Sequence, residues 1–411
     1  MPEAPAPRCC DAEPDLLAPE IARERLLAAT GGPRGTQGVA LHRAAGRILA
    51  RDIVAPCALP GFDHAAMDGY ALHAADLDGR YPPRLLRRIA AGDAAGVALA
   101  AGEAVRVLTG APVLDGAAAV VMEEHARLAE GRVLLDAPVR LGQHIRRAGE
   151  DVATGMPLLA ARRRIGARQM ALLAALGIDA VEVHATPRMA VLSTGNELLK
   201  GAVRDSNRTM LLALLRGAGI EARDLGIAAD DRDGLAEVLR RAAVEAELVI
   251  VTGGISGSDA DHAVEAVSLA GGRAEVLRLA QKPGKPLGHG MIGAARCLLL
   301  PGNPVAALVG MLTLGLPMLA KLSGAAHGEA ETMEVVLATT LRRSPGRTEY
   351  RPAQRVGVEP TGRFLVAPLG QGGSASLRPL AAADGLLRIP ASPSLLVPGT
   401  RLAFLPFPEG C

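Results

Sequence analysis

From residue 187 to about residue 330, apolar strand-like runs alternate with helical segments, and this alternation constrains the fold more than any other feature. MAVLSTG reads as a buried strand ending in a glycine loop, and SNRTMLLALLRGAG as a helix with Ser206 or Asn207 at its N-cap. IEARDLGI is a strand, Asp230-Asp231 caps the helix DGLAEVLRRAAVEA, and ELVIVTGG is a second buried strand. DHAVEAVSLAGG reads as a short helix, AEVLRLA as a strand, and ARCLLLPGN as a strand feeding a helix capped by Asn303 and opened by Pro304. Such a pattern predicts a doubly wound, mostly parallel α/β sheet with helices on both faces.

The flanks have other textures. Residues 1–15 read as a disordered tail, 21–29 as a helix ended by Gly31-Gly32-Pro33, and 39–50 as a second helix. From residue 56 to about 147 short apolar runs such as AVRVLTGAPV, AAVVMEEH and GRVLLDAPV are split by Gly and Pro, the signature of strands and turns. Residues 167–177 form a helix with a Gly stop, and the chain after residue 333 returns to short strands and turns. The expectation is therefore an α/β multidomain protein. It comprises a helical, linking N-terminal domain (16–55 and 146–186) and a strand-rich domain inserted in it (56–145). The doubly wound domain (187–330) comes next, and a small β-barrel-like C-terminal domain (331–411) ends the chain.

Composition narrows the function class. The 411 residues carry 45 Lys+Arg and 43 Asp+Glu, a net charge of +2 that lacks the basic excess of a nucleic-acid binder. The uncharged stretch 297–320 is interrupted by Pro301-Gly302-Asn303-Pro304, and the remainder beyond Pro304 reads as too short to span a bilayer comfortably. The N-terminus has no basic segment leading into an apolar one, so no export signal is expected. Five scattered cysteines (Cys9, Cys10, Cys57, Cys297, Cys411) without a C-x-x-C pair point to a reducing, cytoplasmic setting and no zinc site. With no Trp, 3 Tyr and 4 Phe, the cores must be aliphatic, and lysine occurs only at 200, 282, 285 and 321.

Three strands end in glycine-containing loops, VLSTGNEL, VIVTGGISG and LLLPGNP, which suit a phosphate or oxyanion at the carboxyl edge of an open sheet. None matches the P-loop or the dinucleotide fingerprint. QKPGKP holds two of the four lysines in a turn bounded by Pro283 and Pro286, a compact clamp for an anion. Glu197, Asp230, Asp231, Asp259 and Asp261 cluster near the same loops, as expected where a divalent cation bridges acids to phosphate oxygens, although Asp230 and Asp261 also suit helix N-caps. PGFDHAAMDGYAL, with Asp63 and Asp68 between Phe62 and Tyr70, reads as an exposed binding loop, and His64 as a surface residue.

Eight segments in order, PGFDHAAMDGYAL, VLTGAPVLDGAAAVVMEE, GQHIRRAGEDV, VLSTGNEL, DSNRTML, VTGGISGSDAD, QKPGKPLGHG and LPGNPVAAL, resemble the molybdopterin molybdenumtransferase family, the MoeA proteins related to the gephyrin E domain. The resemblance implies cytoplasmic homodimers that insert molybdate into adenylylated molybdopterin and release AMP with a divalent cation, Mg²⁺. It also implies a molybdopterin adenylyltransferase supplying the substrate and molybdoenzymes receiving the product, with neither nucleic acid nor membrane involved. By similarity, the cleft lies between the doubly wound domain of one subunit and the strand-rich unit of its partner.

Position by position, the resemblance assigns catalytic roles to Asp68, Thr109, Asp151, Glu197, Asp230 and Asp261. Glu197, Asp230 and Asp261 are the implied metal-handling acids. Ser256, Lys282, Lys285, Pro301 and Pro304 bind or shape the anion site. This chain differs from the family pattern at Asn196, Ala306, Pro352 and Pro379, where Asp, Ser, Arg and Ser are common. A non-catalytic molybdopterin carrier or scaffold is the alternative reading, and a nucleotide-pyrophosphate hydrolase a third.

Overall fold

The computed structural model describes residues 16–94, 96–255, 262–326, 332–370, 373 and 375–407. The expected tail, 1–15, lies outside them.

The chain opens with the helix Pro19–Ala29, then the strand Thr36–Ala40, which pairs antiparallel with Ala180–His184. The helix expected over 39–50 does not form; Leu41–Arg43 makes a single 3-10 turn instead. The apolar spacing there serves a different core, in which Leu49 packs with Ile165, Leu173, Val181 and Val183. The strand partner lies about 140 residues away in sequence, beyond the reach of local periodicity. Between these two strands a six-stranded sheet has the order Ala117–Met122, Gly69–His73, Glu103–Val107, Arg84–Ile89, Arg132–Leu135, Ala126–Ala129. Gly69 is required where its strand meets the neighbour: a Cβ there would lie 1.9 Å from the Val121 carbonyl oxygen. That close approach fixes the backbone directly after Asp68.

The central sheet contains β1 (Met189–Thr194), β2 (Arg223–Ala228), β3 (Leu248–Thr252), β4 (Arg273–Arg278), then β6 (Pro286–Ile292) and β7 (Ala295–Leu300), with the two-residue β5 (Gln281–Lys282) between them in sequence but in another sheet. Its order is β2-β1-β3-β7-β6-β4. The first four strands are parallel, and β6 and β4 add an antiparallel edge. Strand β6 is not apparent in the sequence because PLGHGMI carries two glycines and no clean alternation.

Successive side chains on these strands face opposite layers. Val191, Ile250 and Leu298 pack with α1 (Ser206–Gly217) and the helical run 304–322. Leu192, Val249, Val251 and Leu299 pack with α2 (Arg232–Glu245) and α3 (His262–Leu269). Both faces of the sheet are therefore covered, as a parallel sheet requires.

Three cap assignments change, the first being that Asn303 makes no side-chain bond to the helix opened by Pro304. Asp205, not Ser206 or Asn207, caps α1, its carboxylate accepting the Arg208 N–H at 3.1 Å. Asp231 alone caps α2, accepting from Gly234 N–H at 2.9 Å, and Asp230 turns away to other partners. The expectation that residues after 304 are too short to cross a bilayer is also corrected. Pro304–Leu322 is a 19-residue helical run with mean hydropathy 1.9, long enough by length, but 78% of it is buried inside the protein. Its apolarity is that of a core helix.

The last sheet runs β5-β9-β10-β8-β12-β11, where β8 is Met333–Leu337, β9 Thr348–Val358, β10 Phe364–Pro368, β11 Gly385–Ile389 and β12 Arg401–Pro406. Because β9 also pairs with β11, the five longer strands close on themselves around Val335, Leu337, Ala353, Val366, Leu387 and Phe404. Tyr350, on the opposite face of β9, packs into the large aliphatic core beside the central sheet. Burial pushes the Cys297 thiol in β7 up to about 12, so it acts as packing, not as a nucleophile.

Candidate active site

Strand β1 connects through α1 to β2 on one side, and the chain then crosses through α2 to β3 on the other. The order reverses between β1 and β3, and in open α/β sheets ligands bind in that crevice, outside the carboxyl ends of the strands. A cleft of about 1210 Å³ opens at this edge. Its walls come from the loops after β1, β3 and β7, the start of α1, the turn between β5 and β6, and the C-terminal sheet.

The cleft brings together six of the residues expected from sequence: Glu197, Asp230, Lys282, Lys285, Pro301 and Pro304. Asp230 is held in place rather than free. Its carboxylate accepts from Thr194 Oγ1 at 2.8 Å and from the Asn196 N–H at 3.1 Å, while Asn196 Oδ1 accepts the Asp230 N–H at 3.3 Å. Glu197 is exposed in the short helix Asn196–Leu199 at the end of β1. The acids thus stand at the β2/β1 end of the cleft, whereas the lysine turn stands beside β7 and β6, giving the cleft an acidic and a basic end.

Lys282 is half-buried and its ammonium meets no hydrogen-bond or ion-pair partner among the described residues. Its position is set by β5, which pairs parallel with β9 so that Gln281 faces Thr348 and Lys282 faces Glu349. The same pairing delivers Arg347 to the basic end, half-buried and without an ion-pair partner among the described residues. Sequence reading misses Arg347, since nothing local relates residue 347 to residue 282. The helical run from Pro304 adds an uncapped N-terminus: Asn303 makes no side-chain capping bond, so the first-turn N–H groups stay available to an anion.

Buried polar groups nearly always have partners. Five buried side-chain atoms among the described residues lack one: Arg106 Nε, Ser193 Oγ, Asn207 Oδ1, His262 Nδ1 and Gln281 Oε1. Ser193, Asn207 and His262 line the cleft, and Gln281 precedes Lys282. Asn207, which reads as a cap in sequence, instead donates from Nδ2 to Thr252 Oγ1 and to the Gly302 carbonyl, both at 2.8 Å, tying α1 to the loops after β3 and β7. Gly253, at φ 98°, lets the loop after β3 pass below Thr194; a Cβ would sit 2.3 Å from the Thr194 carbonyl oxygen. Three of the five residues carrying such atoms line the cleft, where a ligand or water can meet them.

Three other expected residues lie elsewhere in the chain. Thr109 donates from both its N–H and its hydroxyl to Asp68 Oδ1, each at 2.7 Å, where both are exposed at the ends of two inner strands of the N-terminal sheet. Asp151 is exposed, anchored through its N–H to the Leu59 carbonyl at 3.1 Å. Neither Asp68 and Thr109 nor Asp151 lines the cleft of their own chain. Ser256 and Asp261 lie outside the described residues. Among those described, no group of three His, Cys, Asp or Glu is placed to hold a metal.

The Thr109 hydroxyl, seconded by the Thr109 N–H, holds the Asp68 carboxyl below its usual value. A depressed pKa adds stability that is present above the unfolded value and is lost as pH falls through the folded one. Thr109→Val removes the larger cause, so Asp68 should titrate closer to the ordinary carboxylate range and lose its contribution at higher pH. Carboxyl-carbon NMR titration checks this; an unchanged midpoint would exclude the hydroxyl as the cause.

Comparison with known proteins covers nearly all of this architecture. Residues 17–177 match the MoeA N-terminal region (domain I and II), 190–321 a probable molybdopterin binding domain, and 334–407 the MoeA C-terminal region (domain IV). Molybdopterin molybdenumtransferase 2 of Mycobacterium tuberculosis is 35% identical over 381 residues, covering 89% of this chain and 93% of that protein. Molybdopterin molybdenumtransferase of Haemophilus influenzae is 34% identical over 345 residues, covering 82% and 85%. The solved molybdopterin biosynthesis MoeA protein of Pyrococcus horikoshii superposes with a TM-score of 0.79 at 27% identity, covering 95% of this chain and 99% of that one.

Proposed function

Because the chain belongs to the MoeA family, the molybdopterin molybdenumtransferases of molybdenum cofactor biosynthesis, we propose that it inserts molybdate into adenylylated molybdopterin with release of AMP. The observation that carries this reading to the residue level is the cleft itself. It has acids at one end, cations at the other, and unsatisfied polar groups in the wall between. A substrate joining a pterin to a nucleotide through a pyrophosphate needs an extended polar crevice of this kind.

The basic end, with Lys282, Lys285, Arg347 and the N-terminus of the 304–322 run, binds molybdate and neutralises the charge that develops on the oxygens. Pro301 and Pro304 fix the loop on which that N-terminus sits. At the acidic end Glu197 and Asp230 fit a Mg²⁺ ion, which is typically held by one or two carboxylates plus substrate phosphates rather than by a complete protein cage. Asp261 is proposed with these acids, and Ser256 with the anion-binding residues of the basic end. When bound, the cation supplies charge neutralisation of the pyrophosphate at the bond that breaks. Thr194 and Asn196 orient the Asp230 carboxylate for this role.

The working form we propose is a cytoplasmic homodimer in which Asp68, Thr109 and Asp151 of one subunit complete the cleft of the other. Their absence from the lining of the cleft in their own chain supports that arrangement. A molybdopterin adenylyltransferase upstream and recipient molybdoenzymes downstream are the corresponding partners.

The test supplies adenylylated molybdopterin and Mg²⁺ and measures AMP release with and without molybdate. Molybdate-dependent release is the expected result. Tight binding without release would identify a carrier, and release independent of molybdate a pyrophosphate hydrolase.

A further inference from the structure

A second, smaller concavity lies in the C-terminal barrel, and it shares no lining residue with the large cleft. It measures about 310 Å³ and is lined by Thr339, Thr340, Leu341, Arg342, Arg351, Pro368 and Gly370. Among the described residues no carboxylate contributes to its lining.

Its floor rests on a buried ionic group. On β9, Glu349 and Arg351 share the face of Ala353, which points into the barrel, and Arg343 joins them from the preceding turn. The side chains of Arg343, Glu349 and Arg351 are 1%, 2% and 7% exposed. Arg351 donates from Nε to Glu349 Oε1 at 3.0 Å and from Nη2 to the same oxygen, while Arg343 Nε stands 3.5 Å from Oε2. Two guanidinium groups thus share one carboxylate, leaving one positive charge unbalanced in a desolvated setting. Uncompensated buried charge is strongly unfavourable.

The two arginines are not equivalent. Arg343 donates from all three of its nitrogens to carbonyl oxygens, those of Ser344, Arg347 and Pro390. Arg351 spends two of its three nitrogens on a single carboxylate oxygen, and its Nη1 bonds to no described residue. Arg351 is also the buried member that lines the concavity. At the rim, the Arg342 guanidinium has no ion-pair partner among the described residues, and the hydroxyls of Thr339 and Thr340 bond to none of them. The available groups are therefore two guanidinium edges and two hydroxyls, a donor-rich set matched to the oxygens of a small anion.

We infer that this pocket binds a small tetrahedral oxyanion, of the size and charge of phosphate or molybdate, between Arg351, Arg342 and the two threonines. The volume accommodates such an ion, and the lining offers the donors that a free anion needs. Arg351 supplies the fixed, desolvated donor, and Arg342 closes over the ion from solvent.

The test is equilibrium dialysis of the full-length protein against radiolabelled inorganic phosphate, and in a separate arm against molybdate. Both are run in a Lys282→Gln/Lys285→Gln background so that the large cleft has lost its lysines. One anion bound per chain is expected to persist there, from phosphate, molybdate or both, and the relative affinities tell which anion the pocket prefers. Adding Arg342→Gln should weaken that binding by about tenfold or more, the scale of one charge-assisted hydrogen bond. Thr340→Val should weaken it in the same direction. Both residues are exposed, so neither variant threatens the barrel, whereas Arg351→Met would strand Glu349 with a single partner and is the riskier change. Loss of all anion binding in the lysine-less background overturns the inference. So does retained binding that is indifferent to both Arg342→Gln and Thr340→Val. Neither outcome bears on molybdate-dependent AMP release by the unmodified protein, which tests the large cleft separately.

Discussion

Lys282→Gln is expected to lower molybdate-dependent AMP release by roughly 10²–10³-fold, the usual scale for removing one donor from a developing oxyanion. The folded state should hardly register the change. Lys282 is half-buried with no side-chain partner among the described residues, so the substitution breaks no ion pair and leaves no carboxylate stranded. Its backbone pairing with Glu349 across β5 and β9 does not depend on the side chain. Glutamine keeps the polarity and most of the length while deleting the charge. The unfolding free energy should therefore move by no more than about 0.5 kcal/mol, as for substitutions remote from buried networks. Steady-state AMP release across a molybdate series, set beside urea unfolding of the same samples, separates the two effects. An unchanged molybdate response would show that the ammonium does not meet the oxyanion. Parallel collapse of activity and stability would show that the lysine holds the turn rather than the ligand.

The asymmetry between activity and folding tracks which contacts are legible in the sequence. The parallel strands of the central sheet are readable because both faces are covered, so MAVL, LVIV and CLLL are short unbroken apolar runs, and each strand is followed by glycine or proline. Helices between them carry local periodicity and local caps, and the structure moves those caps by only a residue or two, as at Asp205. The strand Thr36–Ala40 runs into a segment that reads locally as helix, because its partner, Ala180–His184, lies far along the chain. Strand β6 is hidden by its glycines, which the sheet needs: a Cβ on Gly290 would meet the Arg273 carbonyl oxygen at 2.4 Å.

The candidate site divides in the same way. Lys282, Glu197 and Asp230 sit just past strand ends and can be placed from the pattern of loops. Arg347 reaches them only because a two-residue strand at 281–282 joins a sheet whose next member starts at 348. Asn207 looks like a cap because Asn favours that position. Its actual partners, Thr252 and Gly302, come from two other loops, and its side chain is free to reach them because Asp205 takes the terminal role. Chemistry carried by local residues is readable; chemistry assembled by sheet closure is not.

Mixing two inactive variants is expected to restore activity if Asp68 completes the partner's cleft. Asp68→Asn removes the carboxylate that Thr109 organises, and Lys282→Gln removes one cation of the basic end, so a homodimer of either variant would have two defective sites. In a shared-site dimer a mixed pair places both lesions in one site and leaves the other intact. Random exchange of equal amounts makes half of the dimers mixed, so about a quarter of the unmodified activity should return. A site built from a single chain gives the opposite result: each site of a mixed dimer carries one lesion, and the mixture stays at the level of its parents. The geometry favours the first outcome. Asp68 and Thr109 form an exposed, hydrogen-bonded pair at strand ends of the N-terminal sheet, whereas Lys282 lies in a cleft whose lining contains neither of them. A carboxylate held ionised by two donors on an open surface, with no cation drawn to it from its own cleft, is poised for a ligand carried by another molecule. Activity measured before and after subunit exchange, with size-exclusion chromatography to establish that both variants are dimeric, decides between the two arrangements.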